Sequence, residues 1–250
     1  MIKVVLLGAG NVAVHLAKAF YKAKNIDFVQ RYSRGSKNDS YFDSQIAKTN
    51  NLDNLAQADI YVIAIKDDAI AKFSKQLTLK KGLVVHTSGS MPLHALQCKA
   101  NKGVFYPLQT FSKEQNLDFN NIPIAIETED IKDIDLLNNF AKSVSNYVSE
   151  IDSSQREKLH IAAVFANNFS NFMFTIAKDI CDVNNFSFDI LKPIILETAN
   201  KVQTVNPVKA QTGPAKRNDQ KIIEEHLSQL AGKQKEIYQL ISDSIIQANN

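Results

Sequence analysis

The first thirteen residues constrain this chain more than any other stretch. Ile2, Val4, Val5, Leu6 and Leu7 make a short apolar run, Gly8-Ala9-Gly10-Asn11-Val12-Ala13 follows, and Val12, Leu16, Ala19 and Phe20 then recur at helical spacing. A buried strand, a glycine turn and a helix, in that order, make the opening βα unit of a dinucleotide-binding sheet. Gly8 permits the tight turn, Gly10 lets the backbone approach a pyrophosphate, and Ala13 lets the helix pack closely on the strand. The unpaired N–H groups at the helix start, with the helix dipole behind them, suit an anion. Gly8, Gly10, Asn11 and Val12 are therefore candidate cofactor residues, against the plainer reading of a turn kept for packing.

The pattern continues as alternating β and α. Phe28 to Arg34 reads as the second strand, an amphipathic stretch lies near Tyr41 to Lys48, and Ile60 to Ile65 reads as the next strand. Sites that prefer NAD place Asp or Glu near the end of the second strand to hold the ribose hydroxyls. Here Ser33-Arg34-Gly35-Ser36-Lys37 occupies that place. Hydroxyls and two cations favour a 2′-phosphate, and hence NADP, because Arg forks onto phosphate oxygens. Lys66-Asp67-Asp68 follows the next strand, where Asp67 or Asp68 is placed to cap a helix beginning near Ala69. Leu83-Val84-Val85 leads into His86-Thr87-Ser88-Gly89-Ser90, and Val104-Phe105-Tyr106 into Pro107-Leu108-Gln109-Thr110-Phe111. Such loops, at the carboxyl ends of strands, are where open α/β sheets bind ligands, so Lys66, Thr87 and Ser88 join Ser33 and Arg34 as cofactor candidates. Ile122 to Ile126, a helix around Ile131 to Ser143 and a strand near Tyr147-Val148 complete the first half.

The character changes near Ile151-Asp152. From Ser153 to about Val183 there is neither glycine nor proline, and the stretch reads as one helix of roughly 45 Å. Further helices are expected from Asp189 to about Val202 and from Gln220 to about Ala248, broken near Gly232. The expectation is a Rossmann-like, doubly wound parallel sheet over residues 1–151 and an all-α domain over 152–250.

On the long helix, Ile161, Ala162, Phe165, Ala166, Phe169, Phe172, Met173, Ile176 and Ile180 cover more than half the circumference at 100° per residue. A helix that apolar is buried against its own domain or a partner subunit. The remaining stripe, His160, Asn167, Asn171 and Thr175 flanked by Asn168, is uncharged. It suits either a half-buried wall that hydrogen-bonds a ligand or side chains bonded to neighbouring backbone. As a site, it would use His160 as proton donor to a carbonyl oxygen, with Asn167, Asn168 and Asn171 orienting substrate. In Thr212-Gly213-Pro214-Ala215-Lys216-Arg217-Asn218-Asp219, Gly-Pro breaks a helix and Asn218 or Asp219 caps the next, while Lys216 and Arg217 offer an anion site.

Other signals carry little. His86 and Ser88 lack the G-x-S-x-G elbow of serine hydrolases. His94 and Cys98 have a metal-compatible spacing if helical, but no second pair joins them, and no metal is expected. The phosphate loop of nucleoside triphosphatases is absent. His15 and His226 read as structural or surface residues. Two distant cysteines in 250 residues point to a reducing compartment. A net charge of +3 without a basic tail points away from nucleic acid. With no apolar run of membrane-spanning length and no signal-peptide pattern, the expected location is the cytoplasm.

The glycine fingerprint and the Ser33-Arg34 strand end resemble the NADP-binding half of pyrroline-5-carboxylate reductases. The motifs His86-Thr87-Ser88-Gly89, Tyr106-Pro107-Leu108-Gln109-Thr110-Phe111, His160 to Asn168 and Thr212 to Asp219 narrow the match. Together they look like a bacterial family that joins a Rossmann-like domain to a helical C-terminal domain of unassigned function, labelled NADP-dependent oxidoreductase. The related fold class includes 6-phosphogluconate dehydrogenase, β-hydroxyacid dehydrogenases and ketopantoate reductase. The resemblance implies a site between the domains, dimerisation through the helical one, and a lysine on the long helix one turn before an asparagine. Here Val164 and Ala163 stand one turn before Asn168 and Asn167. His160, nearly two turns before Asn167, is expected to stand in as acid/base, and Arg217 to hold an anionic group. Two functions remain open: an NADP-dependent oxidoreductase of a small carbonyl, imine or hydroxyl substrate, working as a homodimer, or a non-catalytic NADP-binding sensor that presents a surface to a partner.

Overall fold

In the computed structural model, which describes residues 1–36 and 38–249, the opening run forms strand β1 (Ile2–Leu7) and the glycine turn leads directly into α1 (Asn11–Lys22). Lys37 of the predicted cationic loop lies outside the described residues. The remaining strands are β2 (Ile26–Tyr32), β3 (Ala47–Thr49), β4 (Ile60–Ile63), β5 (Leu83–His86), β6 (Asn101–Pro107), β7 (Ile124–Thr128) and β8 (Val148–Glu150). They form one sheet in the order β3-β2-β1-β4-β5-β6-β7-β8. The first six follow the dinucleotide-binding order, with the switch between β1 and β4.

Every pairing is parallel except β6 with β7. The doubly wound parallel sheet is as expected; β7 alone reverses, because residues 108–123 carry no crossover helix and a chain that returns without one runs antiparallel. The amphipathic stretch near Tyr41 to Lys48 runs from a 3-10 turn (Asp39–Tyr41) to β3.

Strand periodicity of two assigns the core. Val4, Leu6, Ile60, Val62, Leu83 and Val85 face one side, packed with Leu16 and Phe20 of α1 and with Leu137 and Phe140 of α3 (Ile134–Lys142). Val5, Leu7, Tyr61, Ile63 and Val84 face the other, against Ile70 of the short α2 (Ile70–Ser74). Both faces are covered, which is why these strands read as continuous apolar runs. Each fully buried Leu or Ile adds about 1.5–3 kcal/mol.

Beyond β8, a capping box starts the next helix: Gln155 N–H donates to the Asp152 carboxylate at 2.8 Å and Asp152 N–H to Gln155 Oε1 at 3.1 Å. The helix is not uniform. It runs as α4 (Ser153–Ala163), a π turn over Val164–Phe169, and α5 (Ser170–Val183). The chain forms two compact units, Met1–Asn168 and Phe169–Asn250. α4 belongs with the first because Arg156, 1 % exposed, pairs with Glu127 of β7 and donates to the Met91 carbonyl at 2.7 Å.

The second unit contains α5, α6 (Lys192–Thr204), α7 (Pro207–Ala210), α8 (Gln220–Gln229) and α9 (Gly232–Ala248). Asp219 caps α8 by accepting from the Ile222 N–H, as its position predicts. Among the described residues of this unit, only Cys181, Ala215, Ile223 and Ser242 are buried. Phe165 of the π turn and Phe172 and Ile180 of α5 are exposed, so the long helix is not covered by its own chain as expected of so apolar a face.

Candidate active site

The glycine turn has the geometry its sequence implies. Gly8 has φ +142°, and a β-carbon there would lie 2.1 Å from the Ala64 carbonyl oxygen at the end of β4. Only glycine fits that approach. A β-carbon on Gly10 would meet nothing within 4 Å. Gly10 starts α1 without a side-chain cap, and the first turn holds no acid. The N–H groups there have space and no carboxylate competing for them, so a pyrophosphate fits. Asn11 is exposed and donates to the Phe111 carbonyl at 2.8 Å, while Val12 is half-buried against the core.

At the end of β2, Ser33 is buried and its hydroxyl donates to the Gly35 carbonyl at 2.6 Å. Arg34 is exposed and makes no ion pair among the described residues. The nearby acid, Asp39, is engaged by Lys48 at 2.7 Å and by the buried Arg31 at 2.9 Å. The Lys48 hydrogen bond, then Arg31, hold its carboxyl below the usual range. No free carboxylate therefore stands where a ribose 2′-hydroxyl would be read, and Arg34 is available to a 2′-phosphate.

The loops after β4 and β5 interlock. Lys66 is exposed, and neither Asp67 nor Asp68 caps the turn that follows. That expectation fails because Asp67 Oδ2 instead accepts from Ser88 Oγ at 2.8 Å and Ser90 Oγ at 2.7 Å. Ser88 Oγ also accepts the Met91 N–H at 3.0 Å, and Thr87 Oγ1 donates to the Ile63 carbonyl at 3.3 Å. These hydroxyls fix the loop, so any ligand contact there falls to exposed backbone. His86 is wholly buried, and Nδ1 accepts the Ser88 N–H at 3.2 Å. Burial, with the Arg156 charge beside it, lowers its pKa to about 4. It stays neutral at physiological pH and holds the loop. His94 and Cys98 share no helix: His94 is exposed on a 3-10 turn and Cys98 is buried.

These loops hold Gly89 against the pair at the centre of the site. Tyr106, at the carboxyl end of β6, meets His160 of α4: Tyr106 Oη lies 3.1 Å from His160 Nδ1, with the rings edge to face. A β-carbon on Gly89 would fall 2.6 Å from Tyr106 Cζ and 2.7 Å from His160 Nδ1. Tyr106 is 8 % exposed, and burial raises its pKa, so the phenol keeps its proton. Beside the pair is a groove of about 620 Å³ lined by Leu108, Gln109, Thr110, Val164, Asn167 and Asn168. Apart from His160 its lining carries no ionisable side chain other than the Tyr106 phenol.

The first unit thus brings His160, Asn167 and Asn168 to one groove. Asn171 and Arg217 are exposed residues of the second unit, on α5 and on the loop before α8. Tyr106 and Gly89 fall within the motifs that carry the resemblance but are given no role by them, and Arg156 falls in none. Tyr106 reads as one more apolar strand residue, and Arg156 as one charge among four in Arg156-Glu157-Lys158 and neighbouring Asp152.

Two family models match successive parts of the chain. The family described as NADP oxidoreductase, coenzyme F420-dependent, matches residues 3–89, and the domain of unknown function DUF2520 matches residues 122–245. A solved Bacteroides fragilis protein, provisionally named an NADP oxidoreductase, is 39 % identical over 98 % of both chains with a TM-score of 0.88. A Thermotoga maritima protein is 18 % identical over 98 % of both chains, TM-score 0.75. Plasmodium falciparum pyrroline carboxylate reductase, solved with NADP bound, is 14 % identical over 99 % of this chain and 97 % of its own, TM-score 0.65, a likeness of fold. A search of curated proteins finds no match.

Proposed function

Because the chain belongs to the family that joins an NADP-binding Rossmann domain of the NADP oxidoreductase type to the DUF2520 domain, we propose that it is an NADPH-dependent reductase of a small carbonyl or imine compound. The observation that carries this reading is the Tyr106–His160 pair, 3.1 Å apart and pressed against Gly89, at the carboxyl edge of the sheet. When bound, NADPH supplies the hydride. Gly8, Gly10, Asn11 and Val12 would hold its pyrophosphate, Ser33 and Arg34 its 2′-phosphate end, and the backbone at Lys66, Thr87 and Ser88 the nicotinamide end.

The remaining chemistry is the protein's. In its protonated form His160 donates from Nδ1 to the Tyr106 oxygen, 3.1 Å away, and keeps its second proton on Nε2, so that transfer leaves a neutral imidazole. His160 gives that proton to the substrate oxygen or nitrogen as charge develops there, a contribution of about 10²–10⁴-fold. Asn167 and Asn168 orient the substrate by amide hydrogen bonds. Asn171 and Arg217 are assigned the roles their sequence motif suggests, orienting the substrate and holding any anionic group it carries. The exposed apolar residues of the long helix support a homodimer.

The test is NADPH consumption with a panel of small carbonyls and imines. His160→Ala and Tyr106→Phe are expected to lower turnover at least about 100-fold with NADPH affinity retained. Unchanged turnover in both would remove the pair from the mechanism. A second reading, an NADP-binding sensor, is favoured by Ala163 and Val164 standing where related dehydrogenases carry lysine; it predicts tight NADPH binding with no turnover of any panel member.

A further inference from the structure

The loop that follows β6 returns to the glycine turn and brings a cation with it. Asn11, the first residue of α1, donates to the Phe111 carbonyl at 2.8 Å, and His15 Nε2 lies 2.8 Å from the Ser112 carbonyl. The next residue, Lys113, reaches across to the loop after β2. Its ammonium donates to Asn38 Oδ1 at 2.7 Å and lies 5.3 Å from the centroid of the Tyr41 ring. Asn38 in turn donates from Nδ2 to the Ala9 carbonyl at 2.5 Å, inside the glycine turn. One amide side chain therefore separates a half-buried ammonium from the turn.

That placement suits an arriving anion. The start of α1 carries the positive end of the helix dipole and its unpaired N–H groups, which disfavour a neighbouring cation. Lys113 is held there by a neutral amide, and among the described residues it makes no ion pair. Glu114, the next residue, accepts at 3.5 Å from the Tyr41 hydroxyl. Two loops that are far apart in sequence meet over Ala9 to position this ammonium, and Gly10 beside it leaves the turn open. A strongly hydrated ammonium on a flexible stem can exchange an amide oxygen for a phosphate oxygen without moving its backbone.

We propose that Lys113 engages the pyrophosphate of the dinucleotide, with Asn38 holding the ammonium in place for it. This rests on the dinucleotide reading above and adds a residue to it from outside the βαβ unit. It also separates two duties: Arg34 serves the phosphate found only in NADPH, and Lys113 the pyrophosphate common to NADPH and NADH.

The experiment is calorimetric titration of NADPH and NADH into the unaltered chain and into Lys113→Met, Lys113→Arg and Arg34→Ala. Methionine keeps the apolar stem over Tyr41, so the loop retains its packing. Lys113→Met is expected to raise Kd for both nucleotides by the same factor, about tenfold for one lost charged contact. Lys113→Arg is expected to recover most of that loss, and Arg34→Ala to weaken NADPH alone. Unchanged affinities in Lys113→Met, or a loss confined to NADPH, would overturn the assignment while leaving the dinucleotide site standing. No binding by the unaltered chain would overturn both.

Discussion

Two histidines stand at the carboxyl edge of the sheet, and their surroundings give them opposite duties. His160 lies half-buried on the groove with its Nδ1 fixed by Tyr106. His86 is wholly buried at the end of β5, and burial together with Arg156 lowers its pKa to about 4 from 6.5. Between those two values the unfolded chain binds the proton and the folded chain does not, so stability falls as pH drops through that window. The His86 contribution is complete above about pH 6.5 and is lost towards pH 4, with a size on the order of 3 kcal/mol. Denaturant titrations across that range should show this loss, and His86→Asn, which keeps an acceptor for the Ser88 N–H, should remove most of it. An identical pH slope in the variant would contradict the assignment. Sequence could nominate His160, because an uncharged stripe on an otherwise apolar helix is visible in one dimension. It could not nominate Tyr106, whose partner is 54 residues away and whose strand neighbours are as apolar as it is. Gly89 escapes for the same reason: its need for a bare α-carbon comes from two rings supplied by other elements.

At the level of elements, the strand–turn–helix unit was the most legible part, since its requirements are local. The two glycines nevertheless differ in kind. Gly8 combines a positive φ with a backbone oxygen 2.1 Å from where a β-carbon would sit, whereas Gly10 faces open space. Gly8→Ala should therefore destabilise the fold by at least about 3 kcal/mol, a fall in Tm on the order of 10 °C. Gly10→Ala should leave Tm within a degree or two but weaken NADPH binding about tenfold or more, because the added methyl occupies the pyrophosphate approach. Equal effects of the two substitutions on Tm would show that the turn is maintained for packing alone. The long helix was less legible. A projection at 100° per residue assumes one continuous α-helix, and the π turn over Val164–Phe169 breaks that register. His160, Asn167 and Asn168 still share the groove, but the stripe cannot be extended by arithmetic to Asn171 and Thr175. Val-Phe-Ala-Asn-Asn-Phe holds no glycine or proline to announce the change. The reversal of β7 is a similar case, legible only from the missing crossover helix ahead of it.

For the whole molecule, the two units differ in how they are held together. The first has two apolar clusters, one on each face of an eight-stranded sheet. The second exposes Phe172, Ile180, Val183, Phe186, Ile190, Ile194 and Leu196, and few of its described side chains are buried. Exposed apolar side chains in such number suit an interface, and the proposed reductase would cover them with a second copy of the chain. Light scattering should give twice the chain mass, and Phe172→Glu should shift it towards the monomer with loss of thermal stability, since the second unit has little core of its own. A monomer in the unaltered chain would contradict the dimer. No helix among the described residues is long and apolar enough to cross a membrane.

In the proposed reductase the end of β2 reads a 2′-phosphate. Calorimetric titration of NADPH and NADH into the unaltered chain and into Arg34→Ala tests it most directly. NADPH is expected to bind at least about tenfold tighter than NADH, one charged phosphate contact, with that preference abolished in the variant. Equal affinity for the two nucleotides, or a preference that survives the loss of Arg34, would contradict it.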